Sequence, residues 1–202
     1  MTRFENSNGL NEMTDDLPKP IASSSRFSAT YAVEYLLYIS KKVAEPTIHE
    51  LLKIRYFADK LHLSFYGMTG SGDGYVAMKF GPVGSSTYDV LKAARGENSN
   101  FISSEYYRAV AGSLRVIGES VTALREANVE ELSPADIECL DAAIAEYGNM
   151  DFGARTEISH DSAWKKGWET AKRNGSLQGK MGLMDIVQTL ENADDVLECM
   201  TA

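Results

Sequence analysis

Histidines are the first residues in this 202-residue chain that could do chemistry, and there are three of them: His49, His62 and His160. An imidazole that titrates near neutrality serves as a general base or a metal ligand. His49 and His62 fall at opposite ends of one predicted helix, roughly 20 Å apart, too far to share a metal. Ser159-His160-Asp161-Ser162 holds the residue types of a nucleophilic triad. Neighbouring helix residues point in different directions, so they cannot hydrogen-bond in series as a triad requires. His160, Trp164, Gly167 and Trp168 follow at i, i+4, i+7 and i+8, one face of a helix. That face is either an aromatic binding surface with a titrating imidazole or a core stripe. The stripe is favoured, because buried tryptophans mostly pack.

Gly70-Ser71-Gly72-Asp73-Gly74 is rich enough in glycine to cradle a phosphate, but it lacks the Lys-Ser/Thr pair and the helix such a loop runs into. It reads as a turn. The carboxylate pairs Asp15-Asp16, Glu130-Glu131 and Asp194-Asp195 are adjacent in sequence and read as solvated charge, not as an acid/base pair set in two environments. Cys139 and Cys199 lie far apart, which fits a reducing compartment and neither a disulfide framework nor a zinc site. No catalytic set, metal site or cofactor is expected.

Several elements must position these residues. Residues 1–25 are polar, carry Pro18 and Pro20, and predict a mobile arm. A helix begins near Phe27 and stops before Pro46. Thr47 caps the next helix, with Glu50 placed to complete a capping box. Leu51, Ile54, Ala58 and Leu61, beside Phe57, form its apolar stripe, and Gly67 ends it. A strand over Tyr75 to Phe80 is broken by Gly81-Pro82, which forms a rigid exposed corner before a short helix capped by Ser85 or Ser86. That corner is either a structural connector or a recognition element shared with Lys79 and Tyr88. A helical turn near Ser103 and a hairpin around Gly118-Glu119 follow. Ser133-Pro134-Ala135-Asp136 opens another helix, and Asp151 to Trp168 holds one or two more. A last helix runs from Leu183 to Met200, with Leu183, Ile186, Leu190, Ala193, Leu197 and Met200 as a heptad seam. The seam packs on its own domain, pairs with a copy of itself, or enters a groove of a basic partner. The expected fold class is α+β, a mainly helical single domain with a few short antiparallel strands. Phe57, Leu61, Phe80 and Trp164 are expected to share one buried cluster.

The net charge is −9, which opposes non-specific binding to nucleic acid or anionic lipid and favours a basic partner. The apolar fraction of 44% supports a sizeable core. No run spans a bilayer and the N-terminus is not a signal peptide, so the expected location is the cytoplasm.

Lys53 to Asp59 (KIRYFAD), Ala77 to Val83 (AMKFGPV) and Tyr88, followed by Leu132-Ser133 with Asp136 and by Ser159-His160 with Trp164, resemble the Panacea-domain, or SocA-like, antitoxin family. The resemblance spans about Ala32 to Trp164. Arg55 departs from it, standing where the family has a second leucine; Asp59, at i+4, is its natural partner. The resemblance implies a 26–178 Panacea-like domain; the amphipathic acidic helix expected over 179–202 lies beyond it. It also implies a protein–protein neutralising module that binds a cognate toxin, in at least one type as an adaptor to a protease, and no catalysis. The expected toxin-binding residues are Asp59, Lys79, Gly81, Pro82, Val83, Tyr88, His160 and Trp164. A homodimer is a further expectation. The competing readings are a hydrolase built on His160 and a prophage-encoded regulator.

Overall fold

One helix, α2 (Ile48–Tyr66), runs through the centre of the protein, and the rest of the chain wraps it. The computed structural model describes residues 27–100 and 102–201; the expected arm at 1–25 lies outside them. Thr47 caps α2 by accepting the Glu50 amide, and Gly67 ends it in the left-handed conformation at φ 69°. Leu51, Leu52, Ile54, Tyr56, Phe57 and Leu63 are all buried although they point around the whole helix. From Glu50 to Asp59 the helix has no solvent face, so Glu50, Lys53, Arg55 and Asp59 are buried with it; only its last residues, Phe65 and Tyr66, are exposed.

Before it, α1 (Ala29–Lys42) is capped by Ser28 and ends on Lys41 and Lys42, which suit the negative end of the helix dipole. After it, β1 (Tyr75–Met78) and β2 (Gly81–Gly84) form a hairpin, and β1 also pairs with β5 (Gly179–Lys180), giving an antiparallel sheet in the order β2-β1-β5. Next come α3 (Ser85–Ala94), α4 (Ser104–Val110) and a second hairpin, β3 (Leu114–Ile117) with β4 (Ser120–Ala123). The helix α5 (Pro134–Tyr147) begins on a complete capping box of Ser133 and Asp136. The chain closes with α6 (Phe152–Ser159), α7 (Ser162–Arg173), α8 (Leu183–Val187) and α9 (Ala193–Thr201). The fold is mainly helical α+β, a single domain with a few short antiparallel strands.

Four expectations change. Gly81-Pro82 does not break the sheet: it begins the fully buried strand β2. Met181 donates its amide to Tyr75 O, so Tyr75 and Ala77 face β5 and Pro82, opposite Ala77, points its nitrogen away from β1. A proline there forfeits no ladder bond. The α3 amides are not capped by Ser85 or Ser86: Asp73, from the glycine-rich turn, accepts Ser86 N at 3.0 Å and Thr87 N at 2.8 Å. Phe80 is not in the core; it tips the β1–β2 turn and is half-exposed. Leu183 to Met200 is two helices, not one, so no continuous heptad seam exists. Asn192 between them bonds Ser64 through both atoms of its amide, at 2.8 and 2.9 Å, and the turn lets Ile186, Val187 and Val196 all reach the core.

Candidate functional site

The N-terminal half of α2 carries a polar cluster that the core should not tolerate without a reason. Lys53 is 1% exposed. Its ammonium donates to Pro82 O at 2.8 Å, the carbonyl that the edge strand β2 turns away from its ladder. No carboxylate pairs with it among the described residues. Burial, with repulsion from Arg155, lowers the Lys53 amine to about 7. One turn earlier Glu50 meets Arg155 of α6 at 2.8 Å, both buried. Burial raises the Glu50 carboxyl even against the pull of Arg155. Arg155 also donates to the carbonyls of Tyr147, Gly148 and Met150, which satisfies the frayed end of α5.

Gly81 presses on this cluster. Its φ is +105°, and a methyl group there would stand 2.7 Å from Lys53 Cε and overlap Ser159 Oγ. Only glycine brings β2 this close to α2 and the end of α6. Ser159 is fully buried and donates to Thr156 O at 2.8 Å. His160 then terminates α6, and Asp161 caps α7 by accepting Trp164 N at 2.9 Å. Asp161 also accepts Tyr56 OH at 2.7 Å and Lys60 Nζ at 3.1 Å, so it anchors the α6–α7 junction to α2.

His160 lies outside α7, yet its ring stacks on Trp164 at 3.4 Å and 2°, and Trp164 stacks in turn on Trp168. Trp164 is largely buried and donates its indole N–H to Met78 O at 2.8 Å, which fixes the stack to β1. Burial and the nearby Lys53 charge depress the His160 imidazole, whose Nε2 is buried without a partner among the described residues. His49 resembles it. Its Nε2 meets Thr156 Oγ1 at 3.0 Å, its Nδ1 has no partner among the described residues, and burial lowers it to about 3. Over His49 lies the surface: Phe152 stands 4.1 Å from its ring and meets Phe80 edge-on at 5.4 Å. Lys79 sits over the Phe80 ring.

The sequence-derived residues therefore divide. Gly81, Pro82, His160 and Trp164 come together around Lys53, with Lys79 exposed at the rim of the same region. Val83 is buried in β2. Asp59 lies two turns further along α2 in a different cluster, 1% exposed. It accepts Arg55 Nη2 and Ser71 N, both at 2.9 Å, Tyr75 OH at 2.7 Å, and the Ser71 hydroxyl. The Arg55–Asp59 pair is the one its i+4 spacing indicates. Tyr88 lies on α3 beneath Lys92, away from both clusters. Sequence reasoning gave no site role to Lys53, Arg155 and Phe152, took Glu50 only as a capping residue and weighed Ser159 only as a triad member. The sequence carried no local signal for Lys53: with His49, Lys60 and Ser64 it recurs at helical spacing and reads as a solvated face of α2.

A family model, antitoxin SocA-like, Panacea domain, matches residues 51–165, more than half of the chain. The chain belongs to the SocA-like, Panacea-domain antitoxin family. The Panacea match opens in the first turns of α2 and closes just past Trp164, so it takes in Lys53, the β1–β2 hairpin and the His160–Trp164 stack. It leaves out α1, β5, α8 and α9. Membership places the protein with toxin–antitoxin systems. No curated protein and no solved structure matches the chain. Among the described residues no helix is long and apolar enough to cross a membrane, and no group of three or more His, Cys, Asp or Glu side chains is placed to hold a metal.

Proposed function

We propose that the protein is an antitoxin that neutralises a cognate protein toxin in the cytoplasm by binding it directly. The binding face carries Lys79, Phe80, Phe152 and the His160–Trp164–Trp168 stack. The observation behind this reading is the Phe80–Phe152 pair: the two rings are 50% and 51% exposed, in contact, and backed by a rigid floor. Exposed, preorganised aromatics of this kind anchor protein interfaces, because little side-chain entropy remains to be lost on binding. Lys53, Gly81 and Arg155 serve the face by holding the β1–β2 turn against α6.

The test is co-expression with a short neighbouring reading frame that is toxic when expressed alone. Phe80→Asp combined with Phe152→Ser should abolish rescue and toxin capture while the melting temperature barely moves, since exposed substitutions usually shift stability by under about 0.5 kcal/mol. Rescue that survives both changes would refute the face. The toxin's half-life in cells separates the two modes: unchanged for blocking, shortened for delivery to a protease.

One observation favours an enzyme: His160 Nε2, without a partner among the described residues, near a lysine amine lowered to about 7. Against it, Ser159 is fully buried and Lys53 is 1% exposed, so a substrate meets neither. A His160→Ala protein that still captures toxin but no longer rescues would make the enzyme reading correct.

A further inference from the structure

The far end of α2 opens on a surface that belongs neither to the aromatic face nor to the core. Phe65 and Tyr66 close the helix 58% and 43% exposed, with their rings edge-on at 6.2 Å. The returning chain frames them. Asn192 bonds Ser64 through both amide atoms, Val196 is buried, and the Cys199 sulfur lies over Gly67, where an added methyl group would meet it at 3.5 Å. The last turn of α9 therefore stands beside the last turn of α2, and the exposed Cys199 carries the apolar surface past Gly67. Exposed aromatics in contact with one another mark a surface fit for a partner.

The charge around these rings has one sign. Residues 181–202 hold five acids and no lysine or arginine. Asp185 is matched by Lys166 of α7. Glu191, Asp194 and Asp195 are exposed and in no ion pair among the described residues. Glu138 of α5, also exposed, accepts the Tyr66 hydroxyl at 2.9 Å and meets no cation among them. Neither α2 nor α9 has a basic residue in its last turn, so the negative ends of both helix dipoles add to the acids.

This charge selects the occupant. Residues 1–26 of the same chain carry four acids and three bases, a net of −1, and supply no attraction. A second copy docked through the same face would set like charges against each other. A cationic segment of another protein meets the acids with opposite charge and brings no such repulsion. We propose that the end of α2 and the flank of α9 form a docking surface for a cationic segment of a partner protein with an apolar centre. Its apolar side chains cover Phe65 and Tyr66, and its lysines or arginines meet Glu138, Glu191, Asp194 and Asp195. The surface shares no residue with the aromatic face and does not depend on the antitoxin reading.

The probe is a blocked, dye-labelled hexapeptide, two leucines between two pairs of lysines, titrated with the full chain at low salt and read by fluorescence anisotropy. Binding should be seen below about 1 mM protein and should weaken by about tenfold when salt is raised from about 50 mM to about 500 mM. Glutamate in place of lysine should abolish it. Glu191→Lys combined with Asp195→Lys should weaken it by about tenfold or more, and Phe65→Ser by several-fold with the melting temperature nearly unchanged, because both sets of side chains are exposed. No binding of the lysine peptide up to about 1 mM would overturn the surface. An affinity untouched by the double lysine variant would place the peptide elsewhere on the acidic chain and overturn the location. Equal affinity after Phe65→Ser, and for a peptide with serines in place of the leucines, would remove the aromatic pair from the site and overturn it as a docking surface. A sedimentation mass that rises with protein concentration and falls back in Phe65→Ser would give the surface to a second copy and overturn the partner assignment.

Discussion

The two halves of α2 handle buried charge in opposite ways. Toward its C-terminus, Asp59 compensates Arg55 and takes every remaining hydrogen bond from Ser71 and Tyr75, while the Tyr35 ring lies 4.2 Å from the guanidinium. The charges match, although Arg55 Nε has no hydrogen-bond partner among the described residues, and the glycine-rich turn and β1 are locked to the helix. Toward the N-terminus, Lys53 has a carbonyl and, among the described residues, no counter-ion, and His49 and His160 each leave a buried nitrogen without a partner among them. The first cluster is arranged for stability. The second tolerates a charge the core does not compensate, directly beneath the exposed Phe80–Phe152 pair, and incompletely satisfied polar groups are most often retained where a surface has to be shaped for function.

The sharpest way to break this contrast is Asp59→Ala. It leaves Arg55 charged and alone in the interior and should cost about 3–5 kcal/mol in denaturant unfolding. A loss below about 1 kcal/mol would show that Arg55 finds water and that the C-terminal cluster is no lock. Gly81→Ala comes next. Its left-handed φ alone is worth about 1–3 kcal/mol, and the overlap with Lys53 and Ser159 adds to that. A variant as stable as the parent would mean that β2 is free to retreat from α2.

The smallest effect is the most specific to the N-terminal cluster. The folded Lys53 amine sits near 7, well below its ordinary 10.5. Between those values the unfolded chain holds the proton and the folded chain does not. Stability therefore rises with pH through that window, by up to about 1.4 kcal/mol per pH unit. Lys53→Met should flatten the rise between about pH 7.5 and about pH 9, measured as the difference in unfolding free energy between the two proteins. Equal slopes would mean that Lys53 is solvated and that the two clusters do not differ in kind.

How much of this was legible follows from the range of each interaction. The Thr47 start and Gly67 stop of α2, the Ser133-Pro134 start of α5 and the β3–β4 hairpin were readable within a residue or two. So was the Arg55–Asp59 pair. The site was half legible. The motif segments holding Gly81, Pro82, His160 and Trp164 were identified, but the lysine at their centre was not, because a lysine on a helix carries no local mark of burial. Phe80 misled for the converse reason: a large aromatic after an alternating strand reads as core, and only the tightness of the β1–β2 turn puts it outside.

The sequence by itself therefore determined what depends on a few neighbouring residues: caps, helix stops, turn glycines, an i+4 ion pair and a mainly helical fold class. The tertiary structure decided what depends on residues far apart. Lys53 meets Pro82 across 29 positions, Glu50 meets Arg155 across 105, and Ser64 meets Asn192 across 128. The first group follows from backbone dihedrals and hydrogen bonds that close within one turn of chain. The second follows from which surfaces lose their water together, and that is settled only once every helix has packed around α2.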